Sequence, residues 1–286
     1  MQPDLRGKRV TVVGMARSGV AAARALHALG AQVTITDRKP VDQLRAQAAA
    51  LGTAEIAVEA GGHPERIFTG ADLIVLSPGV PKIPPVRAAL DRGVKVIGEL
   101  ELGWLLADAP FVGITGTNGK STVTTLVGLM LKKAGKRTLV AGNIGNALTE
   151  EVPLLQGQDW IVVELSSFQL EDIDTFRPRI AAVLNVTQDH LDRYATLEEY
   201  AAAKERIFRN QRKDDALVLN FEGWVVGGRL TPTDEGAESR YFPRDALPEP
   251  TLPKHVERIH DSARRTEVVF KVQDTPPGLE VLGFAR

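Results

Sequence analysis

The chain has 286 residues, of which 43% are hydrophobic and 25% are charged, and its formal net charge is −1. These values are typical of a globular protein with one large or two smaller α/β domains, and the near-zero charge argues against a nucleic-acid-binding surface. Cysteine is absent, which excludes disulfides and thiolate chemistry, and no apolar run approaches the roughly 20 residues of a membrane span. The first residues also lack the apolar core of a signal peptide. We therefore expect a cytoplasmic protein that binds neither nucleic acid nor membrane.

Short β-branched runs alternate with helical stretches over residues 9–107. The run RVTVVG predicts a buried strand, SGVAAARALHALG predicts a helix that ends at Gly30, and AQVTITD predicts the next strand. Two further strands are predicted from DLIVLSPG (72–79) and VKVIGE (94–99). An alternation of this kind is typical of a parallel, doubly wound sheet.

A second alternation begins at Phe111. Its predicted strands, with helices between them, are FVGIT, KRTLVAG, WIVVEL, IAAVLNV and ALVLN. The pattern is then lost, since seven of the 17 prolines lie in residues 222–286, where only EVVFKV (267–272) has the composition of a strand. We therefore predict an α/β fold with two parallel-sheet domains, residues 1–108 and 109–221, and an irregular, loop-rich tail, residues 222–286.

The first glycine turn, residues 14–19, has the pattern Gly14-x-Ala16-x-x-Gly19 between a strand and a helix. With Asp37 at the end of the following strand, it matches the context of the dinucleotide fingerprint, in which an acidic side chain binds a ribose hydroxyl. Ala16 replaces the middle glycine, and its methyl group hinders the close backbone approach that a pyrophosphate requires. Three interpretations stay open: an NAD site, a site for the end group of another nucleotide, and a tight turn without a ligand.

The second glycine turn, GTNGKST (116–122), follows a strand and opens a helix. Backbone N–H groups and the helix dipole converge on an anion in such a turn. Lys120 is placed to reach terminal phosphates, and Ser121 or Thr122 to bind Mg²⁺. Ile114 stands where the P-loop pattern has its first glycine, and Gly116 supplies the turn instead. We call residues 116–119 the phosphate loop and predict that it binds ATP or another nucleoside triphosphate. The alternative is a glycine-rich turn without a ligand.

Two further side chains follow strands of the second half. Glu164 ends the apolar run WIVVE, and His190 lies in TQDHLD just after IAAVLNV. Because the carboxyl ends of parallel strands meet at one edge of a sheet, we expect both side chains beside the phosphate loop. Either residue alone would more often be an ordinary loop residue. Together with Lys120 and Ser121 they predict one metal–phosphate centre.

Lys204 lies in the predicted helix TLEEYAAAKERIF, which starts with a capping box of Thr196 and Glu199. Its spacing places it on the same helical face as four residues with apolar side chains or rings: Leu197, Tyr200, Ala201 and Phe208. Lys204 therefore points toward the core, where burial favours the neutral amine. A neutral lysine can react with CO₂ to form a carbamate that binds Mg²⁺. The alternative is a lysine that extends its ammonium group along the surface to solvent.

Five motifs together resemble the Mur ligase family. They are ITGTNGKST (114–122), GNIG (142–145), ELSSFQLE (164–171), NVTQDHLDRY (185–194) and AAAKERIF (201–208). The phosphate loop alone indicates only the wider group of ATP-dependent amide ligases, whereas ELSSFQLE and NVTQDHLDRY at this spacing resemble the members that add D-glutamate. The resemblance covers roughly residues 5–220. It implies a Rossmann-like N-terminal domain that binds UDP and a P-loop-containing central domain that binds ATP, so two different nucleotides explain the two glycine turns.

The resemblance also implies roles for individual residues. The UDP-linked substrate would contact Arg17, Ser18, Asp37, Gly79, Asn143, Ser166, Gln169 and His190. ATP would contact Gly116, Thr117, Asn118, Gly119, Lys120, Ser121 and Thr122. Two Mg²⁺ ions would be held by Ser121, Glu164, His190 and a carbamylated Lys204. The implied catalytic residues are Lys120, Glu164, His190 and Lys204.

The implied activity is that of a monomeric ligase in peptidoglycan precursor synthesis. The carboxylate of UDP-N-acetylmuramoyl-L-alanine attacks the γ-phosphate of ATP to give an acyl phosphate and ADP, and the amine of D-glutamate then displaces phosphate. In the family, a further C-terminal domain binds D-glutamate, and residues 222–286 do not match it. Two alternatives therefore stay open: a catalytically incomplete chain that binds the UDP-sugar and ATP, and an NAD-dependent enzyme, which only the first glycine turn and Asp37 support.

Overall fold

The computed structural model describes residues 3–152, 160–187 and 193–217, which form two five-stranded sheets within one compact unit. Every paired strand in both sheets is parallel to its neighbour. The predicted parallel α/β fold is thus confirmed. The predicted strand EVVFKV and the candidate residue His190 lie outside the described residues.

The first sheet has the strand order β3-β2-β1-β4-β5. Its strands are β1 (Arg9–Val13), β2 (Gln32–Asp37), β3 (Ala57–Ala60), β4 (Leu73–Leu76) and β5 (Lys95–Gly98). Its helices are α1 (Arg17–Ala28), α2 (Arg45–Ala50), α3 (Arg66–Thr69), α4 (Pro84–Asp91) and α5 (Glu99–Leu106), with a 3-10 turn at Val41–Leu44. The order reverses between β1 and β4, so a crevice opens at the carboxyl ends of these strands, where the first glycine turn lies.

The second sheet has the order β10-β9-β6-β8-β7. Its strands are β6 (Phe111–Thr115), β7 (Thr138–Gly142), β8 (Trp160–Leu165), β9 (Ile180–Val183) and β10 (Ala216–Leu217). Its helices are α6 (Lys120–Lys133), α7 (Leu148–Glu151), α8 (Ser167–Glu171) and α9 (Leu197–Glu205), followed by a 3-10 turn at Arg206–Phe208. Because β6 is central, the phosphate loop emerges between the carboxyl ends of β8 and β9.

The central strands are buried on both faces. All four residues of β4 and all five residues of β6 are buried, as expected for strands that helices cover from two sides. Helix α1 packs on the first sheet through small buried residues: Gly19, Ala21, Ala22, Ala23 and Ala25. Small side chains let the helix axis lie close to the sheet, and the glycine turn that precedes α1 is therefore held tightly against β4.

Helix α5 joins the two sheets through a buried carboxylate. Glu101 has no exposed surface, and its carboxylate accepts hydrogen bonds of 2.8–2.9 Å from the backbone N–H groups of residues 174–176. The Thr175 hydroxyl donates a fourth bond. Three aromatic rings pack edge to face in the same region, with centroids 5.3–5.8 Å apart: Trp104, Phe111 and Phe176. A carboxylate with four donors can be buried at low cost, so Glu101 fixes the junction.

Most of the predicted elements are confirmed, with two differences. Strand β3 was not predicted, because three of the four residues of AVEA have low strand propensity and its side chains are exposed or half-buried. Helix α9 ends at Glu205, so Phe208 lies in the following 3-10 turn and not on the predicted helical face. Within the described part of the chain, no helix is long and apolar enough to cross a membrane. The boundaries of the three predicted domains stay predictions.

Candidate functional site

The phosphate loop connects β6 directly to α6, and two of its glycines have backbone angles that favour glycine. Gly116 has a φ of +155° and Gly119 a φ of +79°. A Cβ atom on Gly116 would lie only 3.1 Å from the Leu184 Cβ and 3.3 Å from the Asn185 nitrogen. The loop can therefore pass between β6 and the end of β9 only with glycine at this position. This confirms the prediction that Gly116 supplies the turn.

Asn185 holds the phosphate loop in place, and the sequence analysis did not identify it. Its Oδ1 accepts hydrogen bonds from the backbone N–H groups of Thr117 (3.2 Å) and Asn118 (2.9 Å), and its Nδ2 donates to the Asn118 carbonyl at 2.9 Å. Thr187 adds a second attachment, since its backbone N–H donates to the Thr117 hydroxyl at 3.0 Å. The only sequence signal was a polar residue within the otherwise apolar predicted strand IAAVLNV, which in the structure ends at Val183.

The start of α6 is therefore the part of the turn that is best suited to an anion. Asn185 already binds the N–H groups of residues 117 and 118. The first N–H groups of the helix, at residues 120–122, have no intrahelical acceptor, so they can bind an anion. The Lys120 Nζ donates to the Thr117 carbonyl at 2.8 Å, which holds the ammonium group over the loop. An ammonium group has three donors, and in the part of the chain that the structure describes only one of them is bonded, which leaves two for phosphate oxygens.

Glu164 lies at the carboxyl edge of β8, beside the phosphate loop. It pairs in register with Ile114 on β6 and with Gly142 on β7, and it is only 2% exposed. The Asn143 side-chain amide donates to the Glu164 Oε1 at 3.1 Å. A Cβ on Gly142 would lie 2.3 Å from the Glu164 carbonyl oxygen, so this glycine lets the loop after β7 approach β8. The predicted position of Glu164 at the end of its strand is confirmed, and its part in a metal–phosphate centre stays a prediction.

Lys204 is buried, and it reaches the phosphate loop from α9. Its side chain is 1% exposed, its Nζ donates to the Gly116 carbonyl at 2.8 Å, and it lies 4.3 Å from the centroid of the Tyr200 ring. The predicted inward orientation is confirmed, and the surface-extended alternative is wrong. Thr196 caps α9 as predicted, since its hydroxyl accepts from the Glu199 N–H at 3.2 Å, although the Glu199 carboxylate bonds the N–H of Ala195 and not that of Thr196.

Glu164 and Ser121, which lie near the carboxyl ends of the strands of the second sheet, have side chains of the types that bind a divalent cation. The Glu164 Oε2 is buried and has no hydrogen-bond partner among the described residues, which leaves one carboxylate oxygen without a compensating donor. Ser121, at the second position of α6, carries a hydroxyl of the type that P-loops use for Mg²⁺. No group of three His, Asp or Glu side chains suited to a metal occurs in the described ranges, and the predicted ligand His190 lies outside them.

The first glycine turn is held in place by hydrogen bonds to two side chains, those of Ser77 and Asp37. Gly14 has a φ of +95°, and its carbonyl accepts a hydrogen bond of 3.0 Å from the Ser77 hydroxyl. A Cβ on Gly19 would lie 1.9 Å from the Gly14 carbonyl oxygen, so the third glycine is required for packing. The Asp37 Oδ2 accepts from the Met15 N–H at 2.8 Å, and its Oδ1 accepts from the Lys39 N–H at 3.0 Å. Asp37 thus orders this turn itself, a role that the sequence did not indicate.

Arg17 and Ser18 lie in the first turn of α1, at the mouth of the crevice beside β4. Arg17 is exposed, and its positive charge acts on the buried Glu99 at the start of α5. The Glu99 Oε1 accepts from the Thr149 N–H (2.9 Å) and hydroxyl (2.8 Å). Burial raises the pKa of the Glu99 carboxyl, and the hydrogen bonds from Thr149 and the charge of Arg17 oppose this rise.

Ser166 and Gln169 form a capping box at the start of α8. The Ser166 hydroxyl accepts from the Gln169 N–H at 3.2 Å, and the Gln169 Oε1 accepts from the Ser166 N–H at 3.0 Å. Gly79, with a φ of +80°, follows β4, and its carbonyl accepts from the Arg193 guanidinium at 3.3 Å. The substrate contacts predicted for Ser166, Gln169 and Gly79 stay predictions, and the Arg193 bond was not anticipated.

Two family models match this chain over most of its described length. The Mur ligase MurD-like N-terminal domain matches residues 8–98, and the Mur ligase middle domain matches residues 114–226. The chain belongs to the Mur ligase family. The two matched ranges contain the first glycine turn and the phosphate loop, respectively, so each glycine turn of this Mur ligase lies in a different family domain.

Curated relatives in which about half of the aligned residues are identical support this assignment. A UDP-N-acetylmuramoylalanine–D-glutamate ligase from Koribacter versatilis is 52% identical over 220 residues, which are 77% of this chain and 49% of the relative. The ligase of the same name from Anaeromyxobacter dehalogenans is 54% identical over 220 residues, or 76% of this chain and 47% of the relative. This Mur ligase chain therefore spans about half the length of the curated relatives that it matches.

One solved structure that this chain resembles is more distant in sequence. A pseudomurein peptide ligase type C from Methanothermus fervidus is 23% identical, with a TM-score of 0.37, over 73% of this chain and 44% of that protein.

Proposed function

We propose that this Mur ligase chain takes part in the ATP-dependent joining of D-glutamate to UDP-N-acetylmuramoyl-L-alanine. The observation that carries the proposal is that Lys120 and Lys204 both donate hydrogen bonds to carbonyls of the phosphate loop. Glu164 pairs in register with Ile114, two residues before this loop. This arrangement occurs in a chain that is 52–54% identical to ligases of that name.

Charge neutralisation is the main task of the site in the first step. The terminal carboxylate of the UDP-sugar attacks the γ-phosphorus of ATP, so two anions must approach each other. The Lys120 ammonium and the first N–H groups of α6 offset this repulsion and hold the phosphates in line. The products are an acyl phosphate and ADP. In the second step, the amine of D-glutamate attacks the acyl carbon, phosphate leaves, and the amine loses a proton.

Mg²⁺ fits this site through the Glu164 carboxylate and the Ser121 hydroxyl, with a carbamylated Lys204 and His190 as further proposed ligands. When bound, the metal supplies positive charge next to the transferred phosphoryl group. The chain's own contribution is positional, because Asn143 fixes one Glu164 oxygen, while the other has no donor among the residues that the structure describes.

The crevice between β1 and β4 is the proposed cradle for the uridine diphosphate. Arg17 and Ser18 lie at the start of α1, and Gly79 lies in the turn that follows β4. A dinucleotide is less well supported, because both Asp37 oxygens already bind backbone N–H groups and Ala16 adds a methyl group to the turn. We therefore assign residues 1–108 to UDP binding and residues 109–221 to ATP binding.

A second candidate function is binding without ligation. The chain spans about half the length of its curated relatives, and residues 222–286 do not match the D-glutamate-binding domain that the family resemblance implies. In this case the chain binds the UDP-sugar and ATP and does not complete the transfer to D-glutamate.

Calorimetry of the full chain with UDP-N-acetylmuramoyl-L-alanine, ATP·Mg²⁺ and NAD in turn tests these functions. We expect the first two ligands to bind and NAD to bind more weakly than UDP. An ADP-release assay with D-glutamate then separates the two candidates, since turnover on the order of 1–10³ per second supports the ligase and its absence supports binding alone. Tighter binding of NAD than of UDP would contradict both.

A further inference from the structure

A continuous series of contacts joins the phosphate loop to the turn after β4 in the first sheet. It begins at the Gly116 carbonyl, to which the Lys204 Nζ donates at 2.8 Å. The Tyr200 ring lies 4.3 Å from the same nitrogen, and its centroid is 5.2 Å from that of Tyr194. Three buried side chains thus extend from the phosphate loop toward α8.

The series continues through a carboxylate at the end of α8. The Tyr194 hydroxyl donates to the Glu171 Oε1, and the Arg193 guanidinium donates to the Glu171 Oε2 at 2.6 Å. Burial, and next the hydrogen bond to Glu171, raise the pKa of the Tyr194 phenol, so this hydroxyl remains a donor at neutral pH. The Arg193 guanidinium also lies 4.4 Å from the centroid of the Phe168 ring, which fixes the plane of the guanidinium.

Arg193 is the last residue in this series of contacts, and it connects the series to the turn after β4 of the first sheet. One of its guanidinium nitrogens donates to the Gly79 carbonyl at 3.3 Å. A second bridge lies beside it, because Lys82 of the same turn pairs with Asp172 at 2.7 Å. The Asp172 carbonyl in turn accepts from the Gly98 N–H at 2.9 Å. The turn after β4, which we call the β4 turn (residues 77–83), is therefore attached to the second sheet at two points.

From these contacts we infer that Arg193 is a positioning residue that couples the uridine-nucleotide cradle to the phosphate loop. The inference rests on the proposed function and extends it to a residue that no part of that function uses. When a uridine nucleotide orders the β4 turn, the Gly79–Arg193–Glu171 contacts transmit this order to Tyr194, Tyr200 and Lys204. The phosphate loop then loses less conformational entropy when it binds ATP, so its affinity for ATP is higher.

Arginine suits this role better than lysine would. Its planar guanidinium binds the Glu171 carboxylate and the Gly79 carbonyl with different nitrogens while one face lies on Phe168. A lysine ammonium is a single point charge, so in Arg193→Lys it can keep the pairing with Glu171 but cannot reach both acceptors and stack on the ring as well. Charge alone should therefore not preserve the coupling.

The test is the coupling between two ligands, measured by calorimetry on the full chain with UDP and ATP·Mg²⁺ as probes. The affinity for UDP is measured with and without saturating ATP·Mg²⁺. For the natural chain we expect ATP·Mg²⁺ to raise UDP affinity by about fivefold or more, which is the lower end of typical coupling between sites. We expect a ratio below about twofold in Arg193→Gln and in Arg193→Lys.

The control is Arg66→Gln, which breaks an ion pair with Glu59 within the first sheet and should keep the full ratio. If Arg193→Gln does not fold, Tyr194→Phe serves instead, because it removes only the hydroxyl that binds Glu171 and should also lower the ratio. A loss of general stability would raise the ratio and not lower it, because saturating ATP·Mg²⁺ would then also shift unfolded chains to the folded state. Independent binding of UDP and ATP in the natural chain, or an unchanged ratio in the Arg193 variants, would overturn this inference alone. Failure of the natural chain to bind either nucleotide would overturn the proposed function, and the inference with it.

Discussion

Asn185 binds both polar groups of the Asn118 peptide backbone: its Oδ1 accepts from the Asn118 N–H, and its Nδ2 donates to the Asn118 carbonyl, each at 2.9 Å. One side chain at the end of β9 therefore fixes the middle of the phosphate loop. It also uses N–H groups of the loop that would otherwise be open to a phosphate, so the N–H groups at the start of α6, directly after the loop, are the ones that remain for an anion.

Replacement of Asn185 should loosen the phosphate loop. In Asn185→Ala, the Asn118 N–H and carbonyl lose their partner, and we expect the free energy of unfolding to fall by about 1–3 kcal/mol. We also expect ATP affinity to fall by roughly tenfold, which corresponds to about 1.4 kcal/mol. Urea unfolding and calorimetry measure the two effects.

Asn210→Ala is the matched control, because Asn210 also donates to two backbone carbonyls, those of Asp174 and Phe176, at a distance from the loop. It should lower stability and leave ATP affinity unchanged; a loss of ATP affinity equal to that of Asn185→Ala would refute the proposed role.

Lys120 should be needed for phosphoryl transfer. Lys120→Ala removes the positive charge that lies over the loop, and loss of one such donor typically lowers kcat by about 10²–10³-fold. We expect a loss of this size in ATP-dependent acyl-phosphate formation, measured as ADP release, and weaker binding of ATP·Mg²⁺. Lys132→Ala, on the exposed last turn of the same helix, should leave both quantities unchanged. Equal ATP affinity and equal turnover in Lys120→Ala and the natural chain would exclude this role for Lys120.

The sequence predicted those site residues whose position depends on local pattern. Gly116 follows from the strand–turn–helix context, and the inward orientation of Lys204 follows from helical spacing within α9. Asn185 could not be assigned a role in the same way, because its contact with Asn118 requires β9 to lie next to β6, which is a property of strand order. The same limit applies to Arg193, whose two acceptors, on Gly79 and Glu171, belong to opposite sheets. Contacts within one element could thus be predicted, and contacts that depend on the packing of distant elements could not.

Glu99 should make the stability of the chain fall as the pH rises. Because burial raises the pKa of its carboxyl, the folded chain keeps a proton on Glu99 at pH values at which the unfolded chain has lost it. The folded state binds more protons in this range, so the free energy of unfolding decreases from the ordinary carboxyl range up through the folded pKa. Glu99→Gln cannot titrate and should show a smaller decrease in urea unfolding as the pH rises above the ordinary carboxyl range.

Comparing Glu99→Gln with the natural chain isolates the contribution of Glu99 to the pH dependence of stability. His63, whose pKa is lowered mainly by burial, changes stability in the opposite direction below its ordinary pKa, but it does so equally in both proteins. Glu150→Gln, at an exposed position of α7, should keep the pH dependence of the natural chain. If Glu99→Gln and the natural chain show the same pH dependence, Glu99 does not carry a proton in the folded state.

Lys204 provides the most specific test of the proposed metal–phosphate centre. Its side chain is 1% exposed and its Nζ donates to the Gly116 carbonyl at 2.8 Å. A carbamate nitrogen keeps one N–H group, so carbamylation is compatible with this hydrogen bond and adds two oxygens that can bind Mg²⁺. We expect a carbamate carbon signal in NMR spectra of the natural chain with ¹³C-labelled bicarbonate, and no such signal in Lys204→Ala.

We expect ligase activity to depend on the carbamate of Lys204 and not on the positive charge of an unmodified side chain at this position. We expect Lys204→Ala to lose most ligase activity and short carboxylic acids to restore part of it, because they supply the missing oxygen ligands. Lys204→Arg should not be rescued in this way, since guanidinium stays cationic and does not react with CO₂. Lys213, which is exposed beyond α9, provides the control, and Lys213→Ala should retain both the carbamate signal and the activity. An unmodified Lys204 in the presence of bicarbonate, together with full activity in Lys204→Arg, would show that the buried cation itself is what the phosphate loop requires.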